Sequence, residues 1–193
     1  MSMVDNTKAK IIAAAAKVAV KRGVQNLTMD AVAAEAGVSK GGVFYHFGSK
    51  HDLLLGMVQA LVDVTDREIA AAQEQDQSAG SWLRGFIEAC LTNSTQELGS
   101  VGRLSVAFLT AAANDTSLLA PMNRRQEAWR EAINTSGIDP ALAHIIRLAA
   151  DGLWINDVMG VPVLDPTERT AVIARLVAMT HKNTEPGEKG IEA

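Results

Sequence analysis

The chain has 193 residues, 48% of them apolar, with five prolines and a single cysteine, Cys90. This content excludes default disorder and an intramolecular disulfide, and no run nears the ~20 uninterrupted apolar residues that a membrane-spanning helix needs. The net charge of −4 argues by itself against a polyanionic partner, yet residues 1–51 hold seven Lys or Arg against three acids, a balance of +4, while residues 52–193 carry −8. Such asymmetry suggests a basic module that approaches an anion and an acidic body that stays away, with chance clustering as the alternative until a motif decides.

Alanine is abundant and period-two runs of Val, Ile and Thr are missing, so the chain reads as all-α. At the N-terminus, "MSMVDNTKAKIIAAAA" is followed by Lys17, Lys21 and Arg22 and by no cleavage pattern, which reads as a cytoplasmic protein. Asn6 or Thr7 caps a first helix through Ile12, Ala15, Ala16 and Ala19, stopped by Gly23. Thr28 caps a short second helix with Asp30 in its first turn and Val32 and Ala36 facing inward, and Gly37 ends it. Ser39 caps a third, Lys40 to about His46. The "AGVS" connection between the two is the tight turn of a helix-turn-helix.

The third helix opens on two glycines, each of which costs a helix about 1 kcal/mol relative to Ala. If this helix enters a DNA major groove, Gly41 and Gly42 remove the side chains that would hold its backbone off the duplex. Ser39, Lys40 and the free N–H groups of the first turn then face phosphates. Tyr45 and His46 offer a hydroxyl and an imidazole to the strand or to base edges. Val43, Phe44 and Phe47 carry no polar atom and are expected to lock the helix onto its neighbours. Ser49, with Asp52 three residues on, opens a long fourth helix through Leu53, Met57, Leu61 and Val64 to the polar "EQDQSAG". Lys50 in its first turn opposes the helix dipole and asks for a compensating anion, such as a phosphate.

The run "LTMDAVAAEAGVSKGGVFYHFGSKHDLL", Leu27 to Leu54, resembles the DNA-binding domain of the TetR family of transcriptional regulators. The resemblance rests on Gly23, Thr28, the small-residue helix, Lys40-Gly41, Tyr45 to Phe47, Ser49-Lys50 and Leu53, and covers roughly residues 7 to 55. Many members carry a phosphate-contacting tyrosine where this chain has Phe44, which leaves Tyr45 as the hydroxyl donor. Gly42 replaces a common small polar residue that contacts a base. The candidate DNA-contacting set is therefore Thr28, Ser39, Lys40, Gly41, Gly42, Tyr45, His46 and Lys50.

In the remainder, Ser81 is expected to cap a fifth helix with Trp82, Phe86, Ile87, Cys90 and Ser94 on one side. Cys90 among apolar neighbours reads as core rather than as a catalytic thiol. "ELGSVG" is a loop and Arg103 to Ala113 a sixth helix. "NDTS" caps a seventh that ends near Asn134, or that begins nearer Leu119, because Pro121 is tolerated only in a first turn. "SGID" and Pro140 start an eighth helix, and Asp165, Pro166 and Glu168 a ninth. The eighth is apolar beyond an ordinary stripe: Leu142, Ile145, Ala149 and Leu153 form one band, and Ile146, Ala150 and Trp154 widen it. With Val172, Leu176 and Val177 of the ninth, these predict a four-helix isologous dimer interface, as the resemblance also implies; a monomer core is the competing reading.

Two such subunits would present two recognition helices to a near-palindromic operator. The resemblance implies a repressor released by a small molecule within the larger domain. Trp82, Phe86, Phe108, Met122, Trp129 and Trp154 could line its cavity or simply fill the core. His144, Arg147 and Asp151 share a face and could read a polar ligand, although a cross-dimer ion network or a wet surface is favoured. The expected organisation is a DNA-binding domain over 1–48, a ligand-binding and dimerisation domain over 49–182, and a frayed tail over 183–193.

An enzyme is the hypothesis from another class. His46, His51, His144 and His181 show no metal spacing, and phosphate-loop and nucleophile-elbow motifs are missing. The sequence therefore predicts no catalytic residue, metal or cofactor. A ligand-independent architectural DNA binder remains as the alternative regulator.

Overall fold

The computed structural model describes residues 3–92, 105, 107, 109, 111–113 and 115–181. All regular structure among these residues is helical: α1 (Met3–Arg22), α2 (Met29–Ala36), α3 (Lys40–His46), α4 (Lys50–Gln75), α5 (Ser81–Ile87), α6 (Ala120–Asn134), α7 (Pro140–Met159) and α8 (Pro166–Met179). The expected helix over Arg103–Ala113 is described at six of its eleven positions, of which Ser105, Ala107, Leu109, Ala111 and Ala112 are helical and Ala113 is a turn. The "ELGSVG" loop, Ser94 and the tail from residue 182 also lie outside them.

Helix starts follow the local chemistry of the sequence. Thr28, Ser39, Ser49, Asp139 and Asp165 each accept a hydrogen bond from a backbone N–H of the first turn that follows, which satisfies one of the orphan donors there. Asp165 and Glu168 complete a reciprocal capping box. A 3-10 turn over Thr116–Leu119, capped by Asp115, leads into α6, so Pro121 falls in the first turn of the α-helix, where its missing N–H does no harm.

The start of α5 departs from expectation. Ser81 is the first helical residue and not its cap. That position belongs to Gly80, held at φ +78°, where a Cβ would collide with the carbonyl oxygen of Thr180. Only glycine combines the left-handed backbone with that approach. Arg84 completes the junction: its guanidinium donates to Asp76 Oδ2 at 2.7 Å, Ser78 Oγ at 2.6 Å and Thr180 Oγ1 at 2.9 Å. The end of α8 is thereby tied to the α4–α5 corner. Beyond Ile87, α5 widens into one π-helical turn, Glu88–Thr92, which no sequence signal announced.

Two cores meet along α4, a 26-residue strut about 39 Å long. One joins α1 to α3 and the start of α4 through Ile11, Leu27, Val32, Val43, Leu53 and Met57. The other joins α4 to α8 through Ile69, Leu83, Phe86, Trp129, Ile146 and Leu176. Trp154 packs against both. Ala107, Ala111 and Leu118 belong to the first core, so the segment before α6 packs into the same core as the N-terminal helices and the start of α4.

Candidate functional site

The N-terminal helices present one exposed edge. Gly37 closes α2 in the left-handed conformation at φ +61°, which turns the chain sharply into α3. Val43 and Phe47 are buried and fasten α3 to α1 and α2, as expected. Phe44 is not a locking residue: it is 42% exposed, because only one face of a seven-residue helix can reach the core. Tyr45 beside it is 79% exposed and stands edge-on to the half-buried His46 ring at 5.1 Å between centroids.

Of the two glycines of α3, Gly41 has room for a side chain and Gly42 is tight. A Cβ on Gly41 would meet nothing nearer than Ser39 Oγ at 3.9 Å, and one on Gly42 would meet the same atom at 3.3 Å. Nothing inside the subunit requires Gly41 to lack a side chain. Ser39 Oγ is occupied in accepting from the Gly42 N–H at 3.0 Å, and Thr28 Oγ1 from the Ala31 N–H at 3.2 Å, so both hydroxyls position helices. Lys40 Nζ lies 3.0 Å from Asp30 Oδ2 with both side chains mostly exposed, and such a pair is worth little in water. Lys40 is thus held near the α3 start by a pair that is cheaply broken. Lys50 has a partner that sequence reasoning missed: its Nζ donates to the Gln25 carbonyl at 3.1 Å, which offsets part of its conflict with the α4 dipole.

The C-terminal body forms a partly open cavity of about 420 Å3 between α4, α5 with its π turn, α6 and α7. Of the aromatic and methionine candidates, Phe86, Met122, Trp129 and Trp154 line it. Trp82 does not; it is buried behind Phe86, stacked on that ring at 5.4 Å. Phe108 lies outside the described residues. The segment before α6 contributes Leu109, Ala112, Ala113 and Leu119. Cys90, on the π turn, also faces the cavity, and burial pushes its thiol far up, so it stays protonated.

Arg147 and Asp151 reach the same wall, and a wet surface, one of the two favoured readings, does not describe Arg147, while the Asp151 side chain stays 40% exposed. Arg147 is only 9% exposed and lies against the Phe86 and Trp129 rings, which meet edge-to-face at 5.9 Å, with its guanidinium 5.2 and 5.0 Å from their centroids. Asp151 Oδ2 is 3.3 Å from its Nε. Burial raises the Asp151 carboxyl above the ordinary range, with Arg147 pulling the other way. Helical spacing placed both on one stripe but could not say that the stripe faces two rings. His144 takes no part and contacts Asn134 at 3.1 Å.

On α7, the outward apolar stripe is rotated from the expected one. Ile145, Leu148, Ile155 and Met159 are exposed, with Leu148 at 69%. Leu142, Ala149, Leu153, Val172 and Val177 are half-buried against the second core, and Leu176 is 6% exposed inside it. The core claims the widened band of α7 through Ile146 and Ala150, which leaves a neighbouring stripe outside.

Among the described residues no helix is long and apolar enough to cross a membrane, and no group of three His, Cys, Asp or Glu side chains could hold a metal ion. Residues 11–57 match the family model of bacterial regulatory proteins of the tetR family, and residues 80–181 match that of the tetracyclin repressor-like C-terminal domain. The chain is 34% identical over 73 residues to the transcriptional regulator TtgR of Pseudomonas putida, covering 38% of this chain and 35% of that protein. It is 34% identical over 168 residues to the transcriptional activator FasR of Mycolicibacterium smegmatis, covering 79% of this chain and 74% of that protein. The fold matches a transcriptional regulator from Rhodococcus sp. Rha1 with a TM-score of 0.72, at 21% identity over 90% of this chain and 95% of that one. Because the C-terminal model alone spans more than half of the chain and the helix-turn-helix model matches the exposed N-terminal edge, the protein belongs to the TetR family of DNA-binding transcriptional regulators.

Proposed function

We propose that this protein is a cytoplasmic, homodimeric repressor that sits on a near-palindromic operator and leaves it when a small molecule fills the body cavity. Residues 1–48 read the DNA and residues 49–182 bind the ligand and the second subunit. The observation that carries this reading is Gly41: a glycine in the first turn of α3 with open space around it, flanked by Lys40 and by the exposed Tyr45. A helix pays for glycine there only if something outside the subunit must come close.

In this reading the α3 N-terminus enters the major groove. Its free N–H groups, Lys40 and the Tyr45 hydroxyl take phosphates, and His46 and Lys50 stand at the flank. Thr28 and Ser39 present their helix starts to the strand. Doubling comes from the outward stripe of α7, where Ala141, Ile145, Leu148, Gly152, Ile155 and Met159 alternate at spacings of four and three. That is a seam that suits an antiparallel or crossed partner helix. A Cβ on Gly152 would meet nothing within 4 Å inside the subunit, which supports close approach of a second copy there.

Release follows from shared walls. The segment before α6 lines the cavity with Leu109 and Leu119 and packs into the N-terminal core with Ala107, Ala111 and Leu118. A ligand that prefers one placement of this segment shifts the spacing of the two DNA-binding heads. The cavity volume of about 420 Å3 supports this over a ligand-independent architectural role, since drug-sized sites begin near ~300 Å3.

The test is the salt dependence of binding to DNA from the protein's own promoter region. Lys50→Ala and Tyr45→Ala should weaken binding across sequences, and the lysine variant should flatten the log–log slope by about one. Indifference to double-stranded DNA at low salt would overturn the reading.

A further inference from the structure

The cavity wall holds a cation, Arg147, one of whose buried donors, Nε, the fold leaves without a hydrogen-bond acceptor. Arg147 is nine-tenths buried, and taking a guanidinium out of water is expensive unless its donors are used. Its ion-pair partner among the described residues is Asp151, one helical turn away, and the 3.3 Å approach to Nε is not aligned for a hydrogen bond. The buried Nε consequently has no hydrogen-bond partner. Asp151 is an indifferent counter-ion in another respect: its side chain is 40% exposed, and its surroundings disfavour its charge even with Arg147 beside it.

The guanidinium sits against two aromatic rings. Phe86 and Trp129 lie within about 5 Å of it, which is a favourable setting for a cation. A planar fork held this way is ready for a planar acceptor with two oxygens. A cationic ligand would have to approach Asp151 past this positive charge. The other polar groups offer less: Thr65 Oγ1 already donates to the Leu61 carbonyl at 3.0 Å, which leaves Gln126 as a secondary contact. Leu61, Ala89, Leu109, Leu119 and Ile155 make the rest of the wall apolar.

We propose that the cavity binds an organic carboxylate with an apolar, ring-sized body, its two oxygens taken by the Arg147 guanidinium that lies against Phe86 and Trp129. The proposal rests on the reading of this cavity as the effector site and adds the chemical class of the effector. Asp151 yields the guanidinium to the incoming carboxylate and turns toward solvent, to which it is already partly open.

Isothermal titration of the full-length protein with naphthoate, naphthamide and naphthylmethylammonium separates the possibilities, because the three share a body and differ in charge. Naphthoate should bind about ten-fold or more tightly than the amide, the scale of one charge-assisted pair. Arg147→Met should level the two while leaving the amide within about three-fold. Asp151→Asn should tighten naphthoate, a result that does not depend on the Arg147 variant folding. Equal binding of acid and amide, a preference for the ammonium, or an acid preference that survives Arg147→Met would overturn the carboxylate assignment and leave the cavity as a ligand site. Failure of all three probes to bind would overturn that assignment together with the ligand-responsive reading.

Discussion

His51 Nδ1 lies 3.2 Å from Asp115 Oδ2, a contact between the first turn of α4 and the short turn that leads into α6. Asp115 serves two ends at once, since its other oxygen accepts from the Ser117 hydroxyl at 2.6 Å and the Ser117 N–H at 3.0 Å. These bonds, ahead of His51, hold its carboxyl below the ordinary range. The turn that lines the cavity is therefore pinned to the DNA-binding end of α4 through one exposed side chain.

That ordering of causes makes the first prediction. Asp115→Ala should loosen residues 115–119 more than His51→Ala does, because it removes the cap of the turn as well as the link to α4. Hydrogen exchange on those amides reads the difference. Equal loosening would mean that the imidazole, not the cap, organises the turn.

Asp76 carries a dependence on pH. Its carboxyl falls from the ordinary 3.8 to about 2, through the Ser78 hydroxyl first, then the Ser78 N–H, then Arg84. A depressed folded value means that the charged form is the stabilising one, so its contribution is complete above about pH 4 and disappears as pH falls toward 2. Asp76→Asn should be less stable than the parent at neutral pH, and urea unfolding should show the gap closing in that acid window. A gap that stays constant through it would contradict the assignment.

Gly41→Ala should move stability and DNA binding in opposite directions. With open space around its Cβ, alanine should raise the stability of the N-terminal helices by up to about 1 kcal/mol. Operator affinity should fall about ten-fold or more, the scale of a lost base contact. Thermal melts and a gel-shift titration on one preparation suffice, and unchanged affinity would remove the reason given for the glycine.

Leu148→Glu should give a folded monomer. The side chain is 69% exposed in the subunit, so the fold should change by no more than about 0.5 kcal/mol, while a charge at the centre of the apolar seam should separate the subunits. Light scattering after gel filtration measures the mass. A persistent dimer would place the interface elsewhere.

Gly80→Ala should destabilise the body by more than about 2 kcal/mol, adding left-handed strain to the clash with the Thr180 carbonyl. Chemical denaturation gives the value, and a neutral result would show that the end of α8 is free to move away.

Features that depend on neighbours along the chain are legible before any packing is known. Helix starts at Thr28, Ser39, Ser49, Asp139 and Asp165 are written in side chains that bond their own first turns, and the glycine turn between α2 and α3 is equally local. The all-helical class and the helix-turn-helix could therefore be read without coordinates. Tertiary structure decided which stripe of each helix faces which neighbour. Periodicity groups Leu142, Ile145, Ala149 and Leu153 on α7, yet the core took Ile146 and Ala150 and left Ile145 and Leu148 outside. It likewise set Phe44 in solvent, Trp82 behind the cavity wall and Arg147 against two rings. A helix that is apolar on several faces has several nearly equal ways to bury itself, and only the shapes of the elements packed against it select one.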